Sequence, residues 1–161
     1  MEQQKTTQIV EALLFAAETP LSIRQLRNLL SEFDPEQVGA AVAELRKQYN
    51  EQEPARGIEL VQVAGGWRFR TRADLSPWVR RLYQQTPLRI GRAMLEVLAI
   101  VAYRQPVTRA EVDAIRGVDS AGSLRALLER ELIRVVGRKE LPGRPQLYGT
   151  TKTFLEVFGL R

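Results

Sequence analysis

Leu95-Glu-Val-Leu-Ala-Ile-Val-Ala-Tyr-Arg-Gln-Pro-Val-Thr-Arg-Ala-Glu-Val-Asp-Ala-Ile-Arg-Gly117 is the stretch whose reading decides the fold. Its first half is apolar at helical spacing: Leu95, Leu98, Ala99, Ala102 and Tyr103 recur on one side, and Val97, Ile100 and Val101 leave little of the surface polar. Pro106 ends that helix, because proline has no N–H to donate and pushes Gln105 towards extended geometry. Thr108 opens a second helix. Its hydroxyl can accept a free backbone N–H, and Glu111, three residues on, can reach back to the Thr108 amide. Val112 and Ile115 are expected to face inward, and Arg116-Gly117 supplies a cation and a permissive residue at the helix end. Two short helices joined by a proline turn are the front half of a helix-turn-helix.

The same design occurs earlier in the chain. With an offset of 86, Pro20 falls on Pro106, Leu21 on Val107, Ser22 on Thr108, Gln25 on Glu111, Leu26 on Val112 and Leu29 on Ile115. Asp34 falls on Ser120, both N-cap types that open a third helix, and Val38 and Val42 fall on Leu124 and Leu128. So many matches in register argue for two copies of one fold.

In the first copy, Thr6 or Thr7 is expected to start a helix carrying Ile9, Val10, Leu13 and Leu14. Ile23, Leu26, Leu29 and Leu30 stripe the second helix, and Asp34-Pro35 starts a third that runs to about Gln48. Ile58 to Val63 reads as a strand and Gly65-Gly66 as a hairpin turn. Trp67 to Arg72 returns in strict alternation, with Arg68, Arg70 and Arg72 on the wet face. Asp74 or Ser76 caps a short closing helix. In the second copy Leu132 to Val136 and Gln146 to Gly149 form the wing strands, and Thr150 or Thr151 caps a last helix with Phe154, Leu155 and Phe158. Gln84 to Leu88 reads as a linker. The expected fold class is mainly α with small β wings (α+β): two tandem winged-helix domains, 1–83 and 84–161.

The chain of 161 residues has no cysteine and no histidine, which removes disulfides, Cys/His zinc sites, thiol nucleophiles and His-based proton transfer together. No phosphate-binding glycine loop is present, and Ser76, Ser120 and Ser123 sit where helix caps are needed rather than beside a base. The expectation is a non-enzymatic protein with no cofactor, no metal site and no small-molecule substrate. No apolar run is long enough to span a membrane, and the N-terminus lacks a secretory pattern, so the expected place is the cytoplasm. The net charge of +5 is uneven. Residues 1–83 carry eleven basic and eleven acidic side chains, residues 84–161 thirteen and eight, so the second half is suited to nucleic acid or an acidic partner.

Tyr103, Arg104 and Gln105 stand at the rigid proline corner. Tyr103 reads first as a core aromatic, yet with its two neighbours it also offers an interaction edge. The second wing loop presents Arg138, Lys139 and Arg144, either as a solvated tip or as contacts for phosphate or an acidic partner. The third helices lack the Arg/Asn/Gln cluster that reads base edges, so DNA binding is expected to be at most weak and non-specific.

The segments Ala102 to Glu111, Ile115 to Val118, Leu127 to Arg130, Gly137 to Lys139, Pro142 to Pro145, Leu147 to Thr151 and Phe154 to Leu160, with Glu11 to Ala16 and Gly65 to Arg72, resemble the segregation and condensation protein B (ScpB) family. The similarity spans nearly the whole chain. It implies two winged-helix domains and a homodimer through the N-terminal domains, for which Ile9, Val10, Leu13 and Leu14 are the candidates. It implies binding to the kleisin ScpA, which closes the ring of an SMC ATPase, and so a nucleoid-associated role in chromosome condensation and segregation during cell division. Tyr103, Arg104, Gln105, Arg138, Lys139 and Arg144 are the candidates for partner contact. The alternative is a dimeric winged-helix DNA-binding transcriptional regulator.

Overall fold

Asp34 and Pro35 start a sixteen-residue helix for a local reason: the Asp34 carboxylate accepts the Glu36 N–H at 2.8 Å, and proline stands in the first turn, where an N–H would have no helical partner. In this computed structural model, which describes residues 2–83 and 90–161, that helix is the third of its copy. The chain divides into two units, with the change between Gln85 and Thr86. The linker expected at Gln84 to Leu88 lies outside the described residues.

The first unit holds helices α1 (Glu2–Ala16), α2 (Ile23–Leu29) and α3 (Pro35–Asn50), the antiparallel strands β1 (Ile58–Val63) and β2 (Gly66–Thr71), and helix α4 (Ser76–Tyr83). Helix α1 does not begin at Thr6 or Thr7. Both are buried within it, and the Thr7 hydroxyl lies 3.0 Å from the Gln3 carbonyl and 3.0 Å from the Glu44 carboxylate on α3. Ser22 and Gln25 form the expected capping box at α2. Asp74 is taken into a 3-10 turn, Ala73–Leu75, and Ser76 is itself the first residue of α4. Leu26, Val38, Ala41 and Leu45 are fully buried against Val10 and Leu14 of α1.

The hairpin turn falls one residue earlier than expected, on Ala64 and Gly65, both at positive φ (50° and 75°), and Gly66 is already in the strand. The reason for Gly66 is steric. A Cβ there would stand 2.7 Å from the Pro20 carbonyl carbon, closer than any side chain can come. That approach lets Leu21 and Trp67 exchange backbone hydrogen bonds of 3.0 and 2.8 Å, which fastens the α1–α2 connection to β2.

The second unit repeats the order: α5 (Arg92–Arg104), strand β3 (Val107–Thr108), α6 (Arg109–Arg116), α7 (Ala121–Glu129), β4 (Ile133–Arg138), β5 (Gln146–Thr150) and α8 (Lys152–Phe158). Strand β3 was not expected. It is the counterpart of the Leu21–Trp67 bridge, with Val107 opposite Tyr148, and it makes a three-stranded sheet in the order β3-β5-β4. Buried pairs 86 residues apart, such as Leu26 and Val112, Val38 and Leu124, or Ala41 and Leu127, show the same framework twice. Across the first helix the spacing is 87 (Val10 and Val97, Leu14 and Val101).

Two expected core positions are outside. Leu29 is 57% exposed and its counterpart Ile115 is 52% exposed. Each sits at the end of a helix of two turns, where Leu26 or Val112 already takes the inward place. In α5 the buried face is Val97, Leu98 and Val101 rather than the Leu95–Tyr103 side.

Candidate protein-interaction site

Helix α5 sets the corner. Its inward face is fixed by Val97 and Val101, and at 3.6 residues per turn Tyr103 lies about 200° round from Val101. Tyr103 is accordingly 91% exposed, which overturns the reading of it as a core aromatic. Arg104 beside it is also exposed, in the last helical turn, where a cation complements the helix carbonyls.

Gln105 does a different job. Its side-chain carbonyl accepts the Thr150 N–H at 2.7 Å and the Thr150 hydroxyl at 3.1 Å, while its amide donates to the Ala102 carbonyl at 3.4 Å. The residue thus ties the end of α5 to the end of β5. The neighbouring Gly149 is crowded on that side, since a Cβ would meet Val136 at 3.0 Å and the Gln105 oxygen at 3.1 Å.

The second wing is held at its base. Lys139 N–H donates to the Pro145 carbonyl at 2.9 Å, and Lys139 Nζ to Glu111 Oε1 at 2.6 Å. Glu111 Oε2 accepts the Thr108 N–H at 2.7 Å and its hydroxyl at 2.8 Å, so the expected capping box carries the wing lysine as well. These donors hold the Glu111 carboxyl at about 2, with Lys139 contributing most and the Thr108 amide and hydroxyl adding to it. Lys139 and Gln105 therefore spend their polar groups internally. Arg138 and Arg144 are exposed, and among the described residues neither has a carboxylate partner. Four of the six candidates, Tyr103, Arg104, Arg138 and Arg144, are exposed to solvent.

Ser120 stands at the N-cap of α7, yet its hydroxyl makes no capping bond. Its N–H goes to Asp113 Oδ1 at 2.7 Å, and its buried hydroxyl accepts from Arg116 Nη1 at 3.1 Å. Arg116 also reaches Glu96 at 3.3 Å, and Arg109 pairs with Asp113 and Asp119. Burial pulls the Asp113 carboxyl up, but the Ser120 and Arg109 hydrogen bonds outweigh it and leave the group below its usual range. The basic residues of α6, Arg109 and Arg116, are thus engaged with carboxylates.

In the first unit the four dimerisation candidates divide. Val10 and Leu14 are buried in the unit's own core, and Ile9 and Leu13 are half-buried against it. The large apolar side chain that α1 leaves in solvent is Phe15, 78% exposed, beside a groove of about 290 Å³ whose lining includes Ala17, Ile58 and Phe69. In the sequence, Ile9, Val10, Leu13, Leu14, Phe15 and Ala16 spread over more than one face of α1, which gives no phase for deciding which residue stays out.

Among the described residues no helix is long and apolar enough to cross a membrane. The family model for the segregation and condensation complex subunit ScpB matches residues 8–161. A segregation and condensation protein B from Syntrophotalea carbinolica is 50% identical over 161 residues, covering 100% of this chain and 80% of its own length. A segregation and condensation protein B homolog from Coxiella burnetii is 43% identical over 157 residues, with 95% and 73% covered. A crystal structure of a dimer of the ScpB N-terminal domain complexed with ScpA peptide is 32% identical, covering 51% of this chain and 99% of that one at a TM-score of 0.45. A match of the family model from residue 8 to the last residue, joined to half-identity over the full chain, means that the chain belongs to the segregation and condensation protein B family.

Proposed function

We propose that the chain is a non-enzymatic adaptor of a condensin-like SMC complex. In this reading it forms a homodimer through its first unit and binds the kleisin ScpA. Through ScpA it meets the SMC ATPase, and it acts at the nucleoid, in the cytoplasm, in chromosome condensation and segregation. The observation that carries the reading is the family match over residues 8–161. The corner geometry supports a contact there: an exposed tyrosine beside an arginine, on a helix end clamped by Gln105, is a preorganised anchor of the kind enriched where few residues carry the binding energy. Phe15 supports the self-association, since an apolar side chain in solvent beside a groove gains by being covered.

Calorimetric titration of the whole chain with the kleisin from the same cell tests it. Tyr103→Ala combined with Arg104→Glu should keep the melting temperature and weaken binding at least tenfold, about 1.4 kcal/mol. No binding by the parent chain would overturn the adaptor reading. Binding of the variant as tight as the parent would remove the corner alone. Phe15→Asp should shift sedimentation from dimer to monomer.

A further inference from the structure

Ion pairing divides the charge of the second unit. Glu96, Glu111, Asp113 and Asp119 pair with Arg92, Arg109, Arg116 and Lys139, four carboxylates against four cations. That network is neutral, so the whole positive surplus of residues 84–161 lies on other side chains. Helix α7 does not take it: its exposed charges are Arg125 and Glu129, one of each sign. The second wing does. Arg134 and Arg138 on β4 and Arg144 in the loop are exposed, and none has a carboxylate partner among the described residues. The loop from Lys139 to Pro145 holds one acidic residue, Glu140.

The ladder decides where the two strand arginines point. They are four residues apart on β4, and in a regular strand they would share a face. Arg134 stands opposite Gly149 and Arg138 opposite Gln146, partners that are three apart on β5, because the register shifts between Val135 and Gly137. Val136 is thus an extra residue that turns Arg138 to the other face. The side chains agree. Gln146 shares the face of the buried Tyr148, whose hydroxyl donates to it at 3.1 Å, whereas a Cβ at Gly149 would look the other way, into Val136 and Gln105. The wing therefore carries a cation on each face. In the order β3-β5-β4 strand β4 is marginal, so both arginines stand at a sheet edge. The loop beyond is stiff: the Arg144 N–H donates to the Leu141 carbonyl at 2.8 Å around Pro142 and Gly143, and Lys139 is braced by Glu111. Arg144 itself sits at a φ of 42°, where glycine or asparagine fits more easily.

We propose that the second wing enters the major groove of a DNA duplex with β4 leading, Arg134 on one phosphate wall, Arg138 on the other, and Arg144 adding a phosphate contact from the loop. The chemistry favours this occupant. A pair of cations on opposite faces of one edge matches a channel with an anion on either side. The major groove is such a channel, about 12 Å wide and open to a pair of strands. An acidic peptide lying on the sheet would meet one of the two faces and leave the other cation idle. Val136, Gly137 and Leu147, between the arginines, have no side-chain hydrogen bonder for a base edge, so the hold is on phosphates and without sequence preference. The inference stands apart from the adaptor reading, since the chain acts on the duplex by itself.

Fluorescence anisotropy of the full chain with a random-sequence duplex at about 50 mM salt tests it. Arg134→Glu and Arg138→Glu should each weaken binding about fivefold or more with the melting temperature kept, while Arg125→Glu, the same charge change on α7, should stay within about twofold. Arg134→Gln, Arg138→Gln and Arg144→Gln together should lower the slope of log affinity against log salt by about 2.7. A duplex whose cytosines carry glucosylated hydroxymethyl groups, which fill the major groove, should bind at least about tenfold more weakly than the plain duplex. No binding by the parent would overturn the inference, as would equal loss in Arg125→Glu, which assigns the contact to α7. Unchanged binding of the glucosylated duplex would overturn the groove. Wing variants that hold DNA like the parent but lose the kleisin would give the wing to the protein partner instead.

Discussion

Lys139 Nζ meets Glu111 Oε1 at 2.6 Å and thereby joins the base of the second wing to the cap of helix α6. One carboxylate serves two elements, since its other oxygen takes the Thr108 N–H and hydroxyl. With its carboxyl at about 2 in the folded chain against an ordinary value of 4.5, Glu111 stabilises the fold fully above about pH 4.5, and that contribution fades as the pH falls towards 2. Glu111→Gln should be less stable than the parent at pH 7, and the difference should shrink below pH 4.5 and vanish near pH 2. Urea unfolding at a series of pH values checks it. The carboxylate is 43% exposed, so solvent screening keeps the effect modest.

Gln105 and Tyr103 are neighbours with opposite expectations. Gln105→Ala removes the acceptor for the Thr150 N–H and should cost about 1–2 kcal/mol. Tyr103→Ala removes a side chain that is 91% exposed and should leave stability within about 0.5 kcal/mol. Thermal unfolding of the two single variants separates an internal clamp from an outward anchor.

Glycines at two places should respond with opposite sign. Gly66→Ala puts a methyl group 2.7 Å from the Pro20 backbone, which cannot yield as a flexible side chain would, and should destabilise by about 1–3 kcal/mol. Gly122→Ala, in the first turn of α7 with nothing within 4 Å of the new atom, should stabilise by about 0.4–1 kcal/mol through the unfolded chain. Denaturant midpoints of the two variants decide.

DNA should be held weakly and without sequence preference, because the surplus charge sits on residues 84–161 while Arg109 and Arg116 are already paired with carboxylates. Binding should fall steeply as salt rises from about 50 to 200 mM. A thousandfold preference for one duplex over random DNA would favour the regulator alternative.

The starts of α2, α3, α6 and α8 were legible because capping is local. Ser22 with Gln25, Asp34 with Glu36, Thr108 with Glu111 and Thr151 with Phe154 each act across two or three residues. What was not legible depends on distant partners. Nothing near Thr7 in sequence announces Glu44, nothing near Ser120 announces that Asp113 takes its amide, and Gly66 is explained only by Pro20. Helix α5 misled for another reason. Apolar on every side, it offers no stripe from which to choose an inner face, so Tyr103 could be placed only once Val97 and Val101 were seen to be buried. The corner was thus found by its proline and cap, and its outward tyrosine by the fold.

The doubled framework has a consequence for how the chain tolerates change. Leu26 and Val112 are buried, while Leu29 and Ile115 lie outside at the same places in the two units. A complete mutational map of folding should therefore contain an echo with a period belonging to no helix or strand. Intolerance at one framework position should recur 86 residues on, or 87 in the first helix of each unit. Positions where the echo fails, with a costly change in one unit and a harmless one in the other, would mark where the copies have been put to different uses. Such a map would separate the work of holding the fold from the work of meeting partners without any partner in the tube.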